Sequence, residues 1–315
     1  MNMGKLSSMK RFRRPALFLL GAVLILLIFS GGFFLYRSLK IHENNPLAHQ
    51  RAGDAAMSSG NIAEARQEYE ETLSLYREEG QSGQPYADAL QRLAQIDTAS
   101  GKQQKAADLL AQAAGDCGSF SPMWAWIIVH RAELLDSLGQ KPAASRALDD
   151  ARRRCLFFPG CDDLDKMILG LGSAEHLIAE GRPKQARAQL KTELASLKNN
   201  HGEFSRPAQC ADAVSAASVA ADLWERMGDW SMARQAGREG ISASACAPQS
   251  AHALKLLVQT GKAEAACGRS DEAKALWQKA LSSYQETGDS SGVQIVEYLL
   301  NRRTAPAPHI SCSPD

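Results

Sequence analysis

Four sets of residues have the types from which chemistry could be built. His130, Ser145 and Asp150 would make a nucleophilic triad if they met, since a histidine between a hydroxyl and a carboxylate activates the hydroxyl. Nothing in their spacing brings them together, and each suits an ordinary solvated helix face. Gly170, Gly172 and Glu175 are a fragment of a dinucleotide-binding fingerprint. That fingerprint needs a strand before it and a helix opening after it, whereas these residues fall within a stretch patterned as helix. The seven cysteines, at 117, 155, 161, 210, 246, 267 and 312, include no CxxC pair, and the seven histidines are scattered, which argues against zinc. Phe120, Trp124 and Trp126 suit an aromatic recognition patch, although core packing is the better reading of three such large apolar groups. We therefore expect no enzyme, no cofactor and no metal.

The chain is organised instead by a repeat. A glycine is followed five residues later by an alanine at Gly60/Ala65, Gly101/Ala106, Gly139/Ala144, Gly181/Ala186, Gly228/Ala233 and Gly268/Ala273. Seven residues before each glycine stands another small residue: Gly53, Ala94, Ala132, Ala174, Ala221 and Gly261. Two antiparallel helices approach closely only where side chains are small, and a glycine between them supplies the left-handed turn. Nine residues past the glycine come Tyr69, Leu110, Leu148, Leu190 and Trp277, which fill the space; the fifth copy departs, with Gly237 there and Gly240 close behind.

Over about residues 46 to 288 this pattern resembles the tetratricopeptide repeat, most fully in Gly268 to Ala280. Successive turn glycines lie 38 to 47 residues apart, against about 34 in the usual repeat, so a helical repeat of another family remains a competitor. The resemblance implies an all-α fold: an α-solenoid of about six helical hairpins. A last amphipathic helix with Val293, Val296, Leu299 and Leu300 on one face would close its end. It also implies that first helices line a groove for peptides or partner helices. The family position that often faces this groove falls on Asp54, Gln95, Glu133, Glu175, Asp222 and Lys262. Four of these six are acidic, which departs from the basic, asparagine-rich clamp that related repeats use for a C-terminal carboxylate. A basic or polar partner would suit such a groove, and a solvated acidic stripe without a ligand is the equal alternative.

Hairpin geometry constrains the cysteines. Residues equally far before and after a turn meet at the open end of a hairpin. Cys210 and Cys246 are each 18 residues from Gly228, and Cys117 and Cys161 each 22 from Gly139. The expected pairs are Cys210–Cys246 and Cys117–Cys161, with Cys155 competing for Cys117; small buried thiols are the alternative. Cys267 and Cys312 receive no role, and an odd total leaves at least one cysteine unpaired within the monomer or paired to another chain.

Residues 1–14 carry five Lys or Arg and no acid. Residues 15–36 then run without a charge, long enough as a helix to cross a bilayer. Two basic residues behind the span against five before it place the N-terminus in the cytoplasm. A cleaved signal peptide is the alternative, but the apolar run through Phe33, Phe34 and Leu35 exceeds the usual length and favours an uncleaved anchor. A stalk over 37–45, the solenoid over 46–303 and a disordered tail over 304–315 complete the expected domains. Net charge is only +1 over 315 residues, which argues against nucleic acid as a partner. The expectation is a single-pass protein of the bacterial inner membrane with a periplasmic C-terminal domain, compatible with homo-oligomerisation. It would be a protein-binding scaffold, an accessory or assembly factor of an envelope, secretion or translocation complex. A ligand- or peptide-sensing regulatory domain is the alternative.

Overall fold

In the computed structural model the described residues are 45–117, 122–157, 160–199, 207–246, 248–301 and 312. All of their regular structure is helical. Six hairpins follow one another: α1 (Pro46–Ser58) with α2 (Ile62–Glu78), α3 (Gln84–Ala99) with α4 (Gln103–Asp116), and α5 (Pro122–Ser137) with α6 (Lys141–Phe157). Then come α7 (Asp163–Ala179) with α8 (Pro183–Asn199), α9 (Pro207–Arg226) with α10 (Trp230–Ala243), and α11 (Ala251–Ala266) with α12 (Ser270–Thr287); α13 (Ser290–Asn301) is last. A single 3-10 turn, Ser244–Cys246, follows α10. The charge-free segment 15–36, the basic tail 1–14, most of the stalk and all of the C-terminal tail except Cys312 lie outside the described residues. Among the described residues no helix is long and apolar enough to cross a membrane.

Each hairpin turns by the same device. Gly60, Gly101, Gly139, Gly181, Gly228 and Gly268 have φ between +72° and +79°, a region that L side chains enter only at a cost. The residue after each glycine donates its N–H back to a carbonyl of the last helical turn. These bonds run from Asn61 to Ala56, Lys102 to Asp97, Gln140 to Leu135, Arg182 to Leu177, Asp229 to Trp224 and Arg269 to Glu264, all at 2.8–2.9 Å. This is a Schellman cap, which satisfies otherwise orphaned carbonyls and ends the helix. Side chains cap several of the helix starts. Asn45 accepts from the Leu47 N–H, Asp162 and Asp165 form a reciprocal capping box, and Ser250 accepts from the Ala253 N–H.

Chain contacts divide the molecule into two compact units, Met1–Ser82 and Gly83–Asp315. The division falls in the Gly/Ser/Gln break between α2 and α3, where Gly80 and Gly83 both have positive φ. The described part of the first unit is the hairpin α1/α2. Tyr69 is fully buried there, its ring against Gly53 and its hydroxyl donating to Asp54 at 2.7 Å.

Within the second unit the hairpins stack in chain order. First helices pack side by side, α5 with α7, α7 with α9 and α9 with α11, while each second helix backs its own first. The alanines at the crossings, Ala106, Ala144, Ala186, Ala233 and Ala273, are all buried. Hairpin five is the exception in bulk. Its Gly237 abuts Thr260, and its Gly240 abuts Ala217 and Leu256, so α11 enters the space a large residue would have filled. The stack ends on α13, whose buried Val296 and neighbouring Leu299 and Leu300 cover Leu257, Trp277 and Ala280.

Candidate functional site

The groove face of the second unit is built from four residue positions on each first helix. The expected position lies six residues before each turn glycine; stepping back along the same face gives positions nine, thirteen and sixteen residues before it. On α5 these are Glu133, His130, Trp126 and Met123; on α9 they are Asp222, Val219, Ser215 and Asp212; on α11 the outermost two are Lys255 and His252. An open cavity of about 360 Å³ is lined by Met123, Trp126 and His130 of α5, Asp212, Ser215 and Val219 of α9, His252 and Lys255 of α11, and Gln91 of α3. The matching α7 residues, Asp165, Ile168 and Gly172, are buried instead, Gly172 against Val129 and Leu148. A second cavity, about 350 Å³, lies between α3 and α5 over Leu110; it takes in Gln95 and Glu133 and shares Gln91 and His130 with the first. The two thus form one trough.

The structure brings Glu133, Glu175 and Asp222 into one charged row across α5, α7 and α9. Arg226, one turn after Asp222, joins them. Its guanidinium donates to Glu175 at 2.6 Å and stands 3.9 Å from Asp222. Burial, then the charge of Glu175 and a hydrogen bond to it, push the Glu133 carboxyl up to about 8. Burial beside Glu175 thus favours the protonated form of Glu133, which shares a hydrogen bond with Glu175. The row is consequently much less negative than four acids in six positions suggest. Lys262 stands 3.8 Å from Glu225 of α9, Gln95 lies exposed on the wall of the second cavity, and Asp54 belongs to the other unit. Arg226 was missed by reading one position per repeat, although a residue four after an acid on a helix is its natural partner.

In the trough, Trp126 and His130 stack with ring centroids 6.0 Å apart. Burial pushes the Asp212 carboxyl up to about 6, partly offset by a hydrogen bond from the Trp126 indole. Burial likewise holds His130 and His252 below the usual histidine range. Of the three residues considered as an aromatic patch, Trp124 is core, Trp126 lines the trough, and Phe120 lies outside the described residues. The triad is dispersed: Ser145 bonds Asp149, Asp150 pairs with Arg153, and His130 faces the trough. Gly170 and Gly172 are mid-helix and buried, where they admit neighbouring helices rather than a phosphate.

The cysteines require a correction. Cys155 bonds Cys161, with Cα atoms 5.2 Å apart, so neither pairs with Cys117, which is a buried thiol. The equal-distance count treated hairpin three as two straight rods. In fact α6 ends at Phe157 and α7 begins at Asp163, so the short connection already sets Cys155 beside Cys161. Cys267, given no role by the sequence, bonds Cys312 with Cα atoms 5.4 Å apart. Cys210 is disulfide-bonded, and the side chain of Cys246 lies outside the described residues.

These turns, crossings and stacked first helices define an all-α array of stacked helical hairpins. No family model matches the sequence, and no curated protein matches it. Similar solved structures exist. One is a Rap protein complexed with competence and sporulation factor, 12% identical, TM-score 0.47, covering 81% of this chain and 73% of that one. Another is the apo quorum sensor NprR from B. thuringiensis, 11% identical, TM-score 0.48, covering 94% and 83%. A third is PilF of Pseudomonas aeruginosa, 16% identical, TM-score 0.41, covering 81% and 97%.

Proposed function

We propose that this chain is a membrane-tethered protein-binding scaffold whose trough takes an extended segment of a partner protein. The trough itself carries the reading. Two linked cavities of about 360 and 350 Å³ open along the first helices, each of a size that holds several side chains. Their walls mix apolar surface with groups that can pair with a peptide backbone, notably Gln91, Gln95 and Ser215. Residues 15–36 serve as the anchor and the basic residues 1–14 as its cytoplasmic flank. The hairpins then stand in the bacterial periplasm, as part of an envelope, secretion or translocation assembly.

A peptide-sensing role is a second reading. It is favoured by the row Glu133, Glu175 and Arg226, which links α5, α7 and α9: an occupant competing for Arg226 would alter how these helices meet. A photocrosslinker at the exposed Gln95 in the membrane-embedded full chain tests the scaffold reading. A discrete protein adduct is expected there and not from the exposed Lys191 on α8. Adducts from Lys191 alone would move the binding surface to the second helices, and adducts from neither position would count against a protein partner.

A further inference from the structure

We propose that the α5/α9 trough holds a basic side chain, arginine or lysine, of the bound segment. Its cationic head rests on the Asp212 carboxylate and its aliphatic stem on Trp126 and Met123. This rests on the groove reading above and names the chemistry that reading would select.

The carboxylate comes first. Asp212 lies on the trough-facing side of α9, oriented by the indole N–H of Trp126. Among the described residues no cation pairs with it. A half-buried carboxylate without a counter-charge is strained towards its neutral form, and an incoming ammonium or guanidinium relieves that strain. The field around it is negative: Asp162 raises the Asp212 carboxyl further, and Asp212 in turn raises Asp165 on α7. The carboxylates do not converge, and among the described residues no three His, Cys, Asp or Glu are set to hold a metal ion, so the cation sought is organic.

The walls come second. Trp126, Met123 and Val219 offer an aromatic ring, a thioether and a branched methyl surface. This suits the methylenes of lysine or arginine, which bury their stems while the head is satisfied elsewhere. An aromatic face beside the carboxylate also favours a cation over a neutral head. The remaining titratable neighbours do not reverse this. Burial disfavours the cationic forms of His130 and His252. Lys255 of α11 also lines the cavity; it is exposed, so water and salt weaken its competition for Asp212.

The full chain in detergent is titrated by fluorescence polarisation. The probes are labelled, capped 12-residue peptides of alanine, serine and valine with a central arginine, lysine, norleucine or glutamate. Arginine and lysine peptides should bind about tenfold or more tightly than the norleucine peptide, and the glutamate peptide least, since a charge-assisted bond is at stake. Asp212→Asn should reduce the basic peptides to the norleucine level while its melting temperature stays equal or rises. Trp126→Phe, which keeps a ring and loses the N–H, should narrow the preference. Equal binding of norleucine and arginine peptides to the wild type would overturn the proposal and leave the groove reading intact. So would basic-peptide affinity unchanged by Asp212→Asn. If no peptide of the set binds, basic-side-chain recognition fails, and the Gln95 crosslink decides the groove reading separately.

Discussion

Glu133 shows that the charge state of a residue does not follow from its place in a repeat. Its position six before the turn glycine sets it beside the second cavity, yet its charge state follows first from burial and then from Glu175 on the next helix, with Arg226 opposing. A carboxyl raised from about 4.5 to about 8 binds its proton more tightly in the folded state. The stability it contributes is fully present below the unfolded pKa and is lost as pH rises through about 8. Asp165, at about 7, and Asp212, at about 6, act in the same direction. The protein should therefore lose thermal stability between pH 5 and pH 9. Glutamine mimics the neutral acid, so Glu133→Gln should gain on the wild type as pH rises, by a few degrees in melting temperature at pH 9. Parallel melting curves across that range would show that Glu133 is not held neutral. Asp212 was invisible to sequence reasoning for a related reason. Its register on the groove face could have been found by stepping back along α9, but its burial and the Trp126 bond depend on how α5 and α9 meet.

At the scale of elements the sequence was far more legible, because a crossing of two helices constrains both partners at once. Where the second helix carries an aromatic, Tyr69 or Trp277, the opposing small residue is glycine, at Gly53 or Gly261; where it carries Leu110, Leu148 or Leu190, alanine suffices. Size matches size within each hairpin, so the repeat was readable without coordinates. Packing between hairpins was not, as Gly237 and Gly240 show by making room for Thr260 and Leu256. Glycines inside helices separate the two effects. Gly115 in α4 has no atom within 4 Å of an added Cβ, whereas one at Gly172 would press on the branched side chain of Val129. Gly115→Ala should therefore stabilise by about 0.5–1 kcal/mol through helix propensity. Gly172→Ala should lose about 1–3 kcal/mol to overpacking. Denaturant titration of the two variants reads the contrast, and equal signs would defeat it. The cap is tested in the same way. Val296→Asp places a charge against Trp277 and should cost more than about 2 kcal/mol and promote aggregation, because the last apolar face would lose its cover.

For the whole molecule, the two described cysteine pairs couple fold to compartment. Cys267 and Cys312 are 45 residues apart in sequence and Cys155 and Cys161 only 6, so loop closure favours the first pair, by about 4 against about 2 kcal/mol. A count from the hairpin turns could not have found Cys267–Cys312, because it joins the end of α11 to a residue beyond the last helix. Such bonds persist in an oxidising space and are rare in the cytosol. The periplasmic location proposed from the basic residues 1–14 and the apolar segment 15–36 therefore makes a chemical demand on residues at the other end of the chain. Cells expressing the full protein can be lysed directly into an excess of alkylating reagent and the cysteines mapped by mass spectrometry. Cys267 and Cys312 should be protected until a reductant is added, and Cys312→Ser should both expose Cys267 and lower stability by about 2–4 kcal/mol. Full alkylation of both residues in unreduced wild type would mean that the domain matures among reduced thiols. It would then stand on the cytoplasmic side, and the topology inferred from the positive charges would be reversed.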